Sequence, residues 1–156
     1  MSKFKRYLPL VVSIAIAWGA AGLSYLLTGR SNMEGYAALN QPPLAPPGWL
    51  FPVVWSVLYT LMGLSAWMVW KVPGSSRGAL GAYALQLALN VLWTPVFFRL
   101  EQYWLAFGIL ILLWITIVNM ILQFRKVRPI AALLQVPYLL WVTFAGYLNF
   151  MIAWRN

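Results

Sequence analysis

The chain contains no cysteine, no histidine and no aspartate, and its only acidic side chains are Glu34 and Glu101. These absences exclude a good deal of chemistry. No disulfide framework is possible, so the redox compartment cannot be read from cysteine usage. Zinc and iron centres draw on His, Cys or clustered carboxylates. Haem iron would be left with Met and Tyr as weak ligands. Neither a Ser-His-Asp nor a Cys-His unit can be assembled. A carboxylate pair would require Glu34 and Glu101 to meet, and both fall in predicted loops. No charged residue lies near the middle of an apolar run, so a proton-coupled pump has no intramembrane carboxylate to use. We assign no catalytic residue and no metal site, and the reading leans away from an enzyme.

Charge of either sign is scarce. Of 156 residues only 8% are charged while 63% are hydrophobic, and the mean hydropathy is +0.77. Soluble domains average nearer ~25% charged. The apolar residues come in runs of roughly twenty, the length that crosses ~30 Å of hydrocarbon at ~1.5 Å per residue. Backbone groups in lipid must be satisfied internally, and the runs are too long for barrel strands. The expected fold class is therefore an all-α membrane protein, a single five-helix transmembrane domain over residues 1–156 in a lipid bilayer. The spans are predicted near 7–27, 50–70, 79–98, 103–124 and 130–154, with a long first loop at 28–49. Lys3, Lys5 and Arg6 before an apolar stretch resemble a secretory signal, but the run continues to Leu27, past the ~7–15 residues of a signal core. It is read as a retained first helix.

The net charge of +9 sits at the ends of the apolar runs rather than along one face, which argues against a nucleic-acid partner. Eight basic residues (Lys3, Lys5, Arg6, Lys71, Arg77, Arg125, Lys126, Arg128) fall on the N-terminal side and three (Arg30, Arg99, Arg155) on the other. The positive-inside rule then predicts a cytoplasmic N-terminus and an external long loop. That loop carries Pro42, Pro43, Pro46 and Pro47, which exclude helix there and stiffen it. It reads equally as a lid or as a connector. Pro95 and Pro137 fall inside spans and are expected to kink them.

What the chain has in abundance is aromatic: ten Trp, eight Tyr and eight Phe. Trp49, Trp70, Trp104 and Trp154 lie near span ends, where an interfacial belt accounts for them. Trp18, Trp55, Trp93, Trp114 and Trp141 lie deeper. Helical spacing puts Gln86, Asn90, Trp93 and Phe97 on one face of the third span. Trp55, Tyr59 and Met62 share a face of the second, and Trp141, Ala145, Leu148 and Asn149 a face of the fifth. Amides in lipid need partners, so Gln86, Asn90 and Asn149 should face the bundle interior. There they either join helix to helix or furnish an aromatic pocket suited to a planar apolar ligand. Ala15, Gly19 and Gly22, with Gly78/Ala82 and Ala84/Ala88, form small-residue stripes that permit close approach within the bundle or between copies.

Three segments also resemble a known family. The run Gln41-Pro42-Pro43-Leu44-Ala45-Pro46-Pro47-Gly48-Trp49-Leu50-Phe51-Pro52-Val53-Val54-Trp55-Ser56-Val57-Leu58-Tyr59 is similar to the signature of the tryptophan-rich sensory protein and translocator protein family. So are Tyr83 to Asn90 with Trp93 and Phe97-Phe98, and Val136 to Trp141 with Phe144-Ala145 and Leu148-Asn149. The resemblance implies a five-helix bundle, often dimeric, here of bacterial type in the cytoplasmic membrane. It implies a receptor or carrier that binds porphyrins such as protoporphyrin IX as ligand, with no cofactor required. The alternatives it brings are a light-dependent porphyrin-degrading enzyme and a small-molecule transporter. It implies a pocket lined by Trp55, Tyr59, Asn90, Trp93, Trp141, Ala145 and Leu148 and closed by Tyr36, Pro47 and Phe51. Gln86, Phe97 and Asn149 join the candidate ligand-binding set from their helical spacing. The chain departs from the family at Gln41, often Lys, and at Leu44, usually Trp. It has Gly35 before Tyr36 where many members carry the Trp linked to light-dependent breakdown. Phe150 stands where the proposed cholesterol consensus wants Tyr.

Overall fold

The structure is a computed structural model and describes residues 2–29, 32–74 and 77–156. Arg30, counted above for orientation, and the side chain of Glu34 lie outside what is described. Five helices are long and apolar enough to cross a membrane, and no strand occurs among the described residues. They comprise α1 (Lys3–Thr28), α3 (Leu50–Trp70), α4 (Arg77–Phe98), α5 (Tyr103–Val127) and a fifth span in two pieces, α6 (Pro129–Leu134) and α7 (Val136–Arg155). A short α2 (Asn32–Ala38) lies within the long loop, where turn-forming residues gave no helix signal. The helices close into a ring: α1 packs on α3 and α4, α4 on α5, α5 on α7, and α6 on α3 and α5.

Two details of that ring position the site. The fifth span breaks at Gln135, two residues ahead of Pro137. Pro137 has no N–H to donate to the carbonyl four residues earlier and its ring crowds that carbonyl, so the ladder breaks and the chain restarts as a new helix with Pro137 in its first turn. The Gln135 N–H turns back to Ala132 O at 3.1 Å, and Ser65 Oγ of α3 donates to Ala131 O at 2.8 Å, which fastens α6 in place. Pro95 behaves differently. The helix runs through it to Phe98, and Pro95 O then receives the N–H groups of Arg99 and Leu100 at 2.9 and 3.0 Å, ending α4.

The second detail is the α1–α3 contact. Gly63 presents bare backbone to α1; a Cβ there would stand 2.5 Å from Ile14 Cα. Ser13 Oγ exploits the approach by donating to Gly63 O at 2.7 Å, and Trp18 Nε1 donates to Thr60 Oγ1 at 3.2 Å. The Ala15/Gly19/Gly22 stripe is not the face used. Gly19 and Gly22 have open space where a side chain would be, and all three residues point outward. Gly78 on α4 does meet a neighbour, the Gln123 side chain of α5.

Candidate functional site

The loop side of the bundle is not filled. A cavity of about 460 Å³ lies between α1, α3, α4 and α7, under the long loop. Ten of the residues singled out from the sequence line it: Tyr36, Phe51, Trp55, Tyr59, Trp93, Phe97, Trp141, Ala145, Leu148 and Asn149. The walls are aromatic edges in mutual contact. Phe51 meets Trp141 edge-on at 5.8 Å, Trp55 leans on Tyr59 at 5.5 Å, and Trp93 stacks on Phe97 at 5.4 Å. Such contacts are worth ~0.5–1.5 kcal/mol each beyond burial and hold flat walls in place.

The loop lies across the open end. Tyr36 is buried, with Phe51 at 5.7 Å and Phe98 at 5.8 Å, and the Gln41 side-chain amide donates to Tyr36 O. Tyr147 OH on α7 donates to Pro43 O at 2.8 Å, and Asn40 N donates to Asn156 Oδ1 at 3.2 Å. The segment thus covers the cavity and is tied at both ends. Pro47 is not in the wall; its neighbour Gly48 is. Burial raises the Tyr36 phenol above its ordinary value, so it remains a neutral hydroxyl at physiological pH.

The amides divide into two uses. Asn149 Oδ1 accepts Trp93 Nε1 at 3.0 Å and its Nδ2 donates to Tyr103 O at 2.9 Å, joining α4, α5 and α7 while its side chain borders the cavity. Gln86 and Asn90 lie below the cavity and do not line it. Tyr59 OH donates to Asn90 Oδ1 at 3.3 Å, Asn90 Nδ2 to Tyr138 OH at 2.9 Å, and Tyr138 OH to Gln86 Oε1 at 2.7 Å. The chain of bonds crosses from α3 through α4 to α7 and forms a floor. Tyr138, fully buried, is its hub and was not singled out from the sequence. Neither were the α1 residues Ala21, Ser24, Tyr25 and Thr28, which with the deep Trp18 make one whole wall, or Thr94 of α4; Phe98, noted only in the family motif, also lines the cavity.

Among the described residues no charged side chain lines this cavity, and no group of three metal-binding side chains occurs. The arrangement can enclose a flat apolar body, and the residues present offer it no acid–base pair.

A five-helix membrane bundle with an aromatic cavity under its first loop is one recognisable class of membrane protein. The sequence pattern of the TspO/MBR family matches residues 11–155, and the chain belongs to that family. It is 38% identical to the tryptophan-rich protein TspO of Chlorobaculum tepidum over 160 aligned residues, covering 100% of this chain and 99% of that one. It is 43% identical to the tryptophan-rich sensory protein of Cereibacter sphaeroides (75% of this chain, 73% of that one). It is 39% identical to the translocator protein of Bos taurus (88% and 82%).

Proposed function

We propose that this protein is a membrane receptor or carrier that binds protoporphyrin IX-like tetrapyrroles, and other planar apolar molecules, in the cavity beneath its first loop. The observation that carries the reading is the cavity itself. Its volume of about 460 Å³ lies within the ~300–1,000 Å³ range of small-molecule sites. Its walls are flat rings from four helices, and its few polar groups are hydroxyls, indoles and one amide. A macrocycle's apolar faces gain burial and ring contacts there, with no charged side chain among the described lining residues to desolvate. Membership of a family whose relatives are named for sensing and translocation supports the same reading. On this reading the N-terminus is cytoplasmic, the membrane is the bacterial cytoplasmic membrane and the working form is a homodimer. Single cysteines placed in this cysteine-free chain test orientation and pairing by labelling and cross-linking.

The direct test is a titration of the detergent-solubilised protein with protoporphyrin IX, following tryptophan fluorescence in the dark and then under light. Saturable quenching at micromolar ligand, stable to illumination, is expected. Loss of the porphyrin absorbance bands under light would replace the receptor with a light-driven degrading enzyme. Saturable binding together with uptake into proteoliposomes would make it a transporter. Absence of saturable binding would remove porphyrins as the ligand class.

A further inference from the structure

Most hydroxyls inside this bundle find a partner within the protein, and Ser24 and Tyr36 are among those that do not. Ser56, Thr60, Thr94, Thr116 and Thr143 each donate to the backbone carbonyl four residues earlier, at 2.6 to 3.3 Å. That local bond satisfies a hydroxyl in an apolar helix without help from a neighbour. Ser24 on α1 has the same opportunity, yet its Oγ has no partner among the described residues although the residue is only 5% exposed. Tyrosines show the same contrast. Tyr59, Tyr138 and Tyr147 all donate, whereas the hydroxyls of Tyr36 and Tyr83, at 8% and 7% exposed, have no partner among the described residues.

Tyr83 does not border the cavity, whereas Ser24 and Tyr36 both line it. They belong to its loop end: Ser24 lies in the last turns of α1, and Tyr36 comes from the covering segment. At the other end, the Tyr59 hydroxyl hydrogen is already committed to Asn90. A buried hydroxyl with no partner has lost its water without replacement, a penalty that a ligand bringing an acceptor relieves. Charge does not obviously substitute for it. Where α1 and α4 end, Arg99 Nη1 donates to Leu27 O at 3.1 Å, while the Glu101 carboxylate lies beside Gly35 on the same rim. Among the described residues the rim carries one charge of each sign, which leaves hydrogen bonding to select the ligand.

We propose that Ser24 and Tyr36 form the polar end of the cavity and select ligands that carry a hydrogen-bond acceptor oxygen, carboxylate or carbonyl, at one end of a planar apolar body. The proposal rests on the ligand-cavity reading above and adds the ligand's polarity and its direction: oxygen toward the loop, apolar body toward the Tyr59 floor. A serine hydroxyl can turn toward such an oxygen by one side-chain rotation. The Tyr36 ring is held by its aromatic neighbours, so the oxygen must come to it.

The test compares three porphyrins on the full-length protein: protoporphyrin IX, its dimethyl ester, and etioporphyrin, which has no acceptor oxygen. Ser24→Ala and Tyr36→Phe are each expected to weaken protoporphyrin IX about three- to tenfold, one hydrogen bond's worth. Etioporphyrin affinity should stay within about twofold. Thr116→Ala, away from the cavity, controls for general loosening. If the ester keeps the effect, a neutral carbonyl suffices; if the ester loses it, the group recognised is a carboxylate. Equal weakening for protoporphyrin IX and etioporphyrin, or no weakening of either, would overturn the proposal. Should no porphyrin bind the unaltered protein, the porphyrin reading fails by itself. The same variants are then read with 1-pyrenebutyrate against 1-butylpyrene. A Ser24-dependent preference for the acid upholds the polar end, and its absence sinks it.

Discussion

The two halves of this bundle are made from the same residue types and do opposite things. In the half away from the long loop, Met62, Ser65, Gln86, Asn90 and Tyr138 are at most 1% exposed, and the last three are linked in one hydrogen-bonded chain. In the loop-side half, Trp55, Trp141 and Phe51 are only partly buried and frame a space. Aromatic and amide content does not distinguish a core from a site. What differs is whether the groups have one another as partners. Below the cavity Tyr59, Asn90, Tyr138 and Gln86 are chained together, with the buried polar groups of Tyr83 and Gln135 outside that chain; on the cavity wall the hydroxyls of Ser24 and Tyr36 are left facing the space. The comparison predicts a separation of effects, with changes in the packed half acting on stability and changes in the open half acting on ligand.

The largest expected effect is at Gly63. A Cβ there would stand 2.5 Å from backbone and 2.9 Å from Ile14 Cγ1, and backbone of a packed helix cannot swing aside. Gly63→Ala should push α1 from α3 and lower stability by about 2–3 kcal/mol, as overpacking does. Thermal melting in detergent, read by circular dichroism, measures it. Gly19→Ala, with open space at the same atom, should melt within a degree or two of the unaltered protein. Equal shifts for both glycines would mean that the close approach of α1 and α3 is not what holds the first helix.

Next comes the floor. Asn90→Ala strips the acceptor from Tyr59 and the donor from Tyr138 at once. Interhelical hydrogen bonds in membranes are individually modest, ~0.6 kcal/mol on average, but the stranded Tyr59 hydroxyl adds to the loss, while Tyr138 keeps its bond to Gln86. The expected destabilisation is about 2 kcal/mol. Affinity in the protein that remains folded should change little, because Asn90 does not line the cavity. A large affinity loss with unchanged melting would move Asn90 from floor to wall.

Much of this was legible before any coordinates. Span positions follow from hydropathy, because lipid demands about twenty apolar residues however they are later packed. The observed helices overrun the expected ends by a few residues, as α1 does by starting at Lys3 rather than Tyr7. The interior faces of α3, α4 and α7 were marked by amides and aromatics at helical spacing. The wall from α1 was not, and the reason is physical. In water an apolar stripe identifies the buried face; in lipid both faces of a helix are apolar, so α1, with Leu and Ile all round, gives no direction. Its small-residue stripe faces outward, so of the two uses it allowed, close approach within the bundle is not the one it serves. Tyr138 sits between Pro137 and Leu139 with no polar neighbour to form a pattern, so its place as hub emerges only once α7 is set against α4. The choice between lid and connector for the first loop turned on tertiary bonds such as Tyr147 OH to Pro43 O, which composition does not encode.

The smallest effect is the sharpest on the open half. Trp141 and Trp154 lie on the same helix, thirteen residues apart in the sequence. Trp141 meets Phe51 at 5.8 Å and lines the cavity, and it also lines a groove outside it between α3 and α7. Trp154 is 72% exposed near the end of α7, where it stacks on Phe150 at 6.3 Å and belongs to the interfacial belt. Both truncations remove the same indole from α7, so they match in helix propensity and composition. Trp141→Ala should weaken porphyrin binding about tenfold, a loss of ~1.4 kcal/mol, while Trp154→Ala leaves it unchanged. Equal losses would mean that binding is non-specific partition onto aromatic surface. No loss at Trp141 would mean that the ligand lies toward α1, against Trp18 and Ser24, and never reaches the α3–α7 seam.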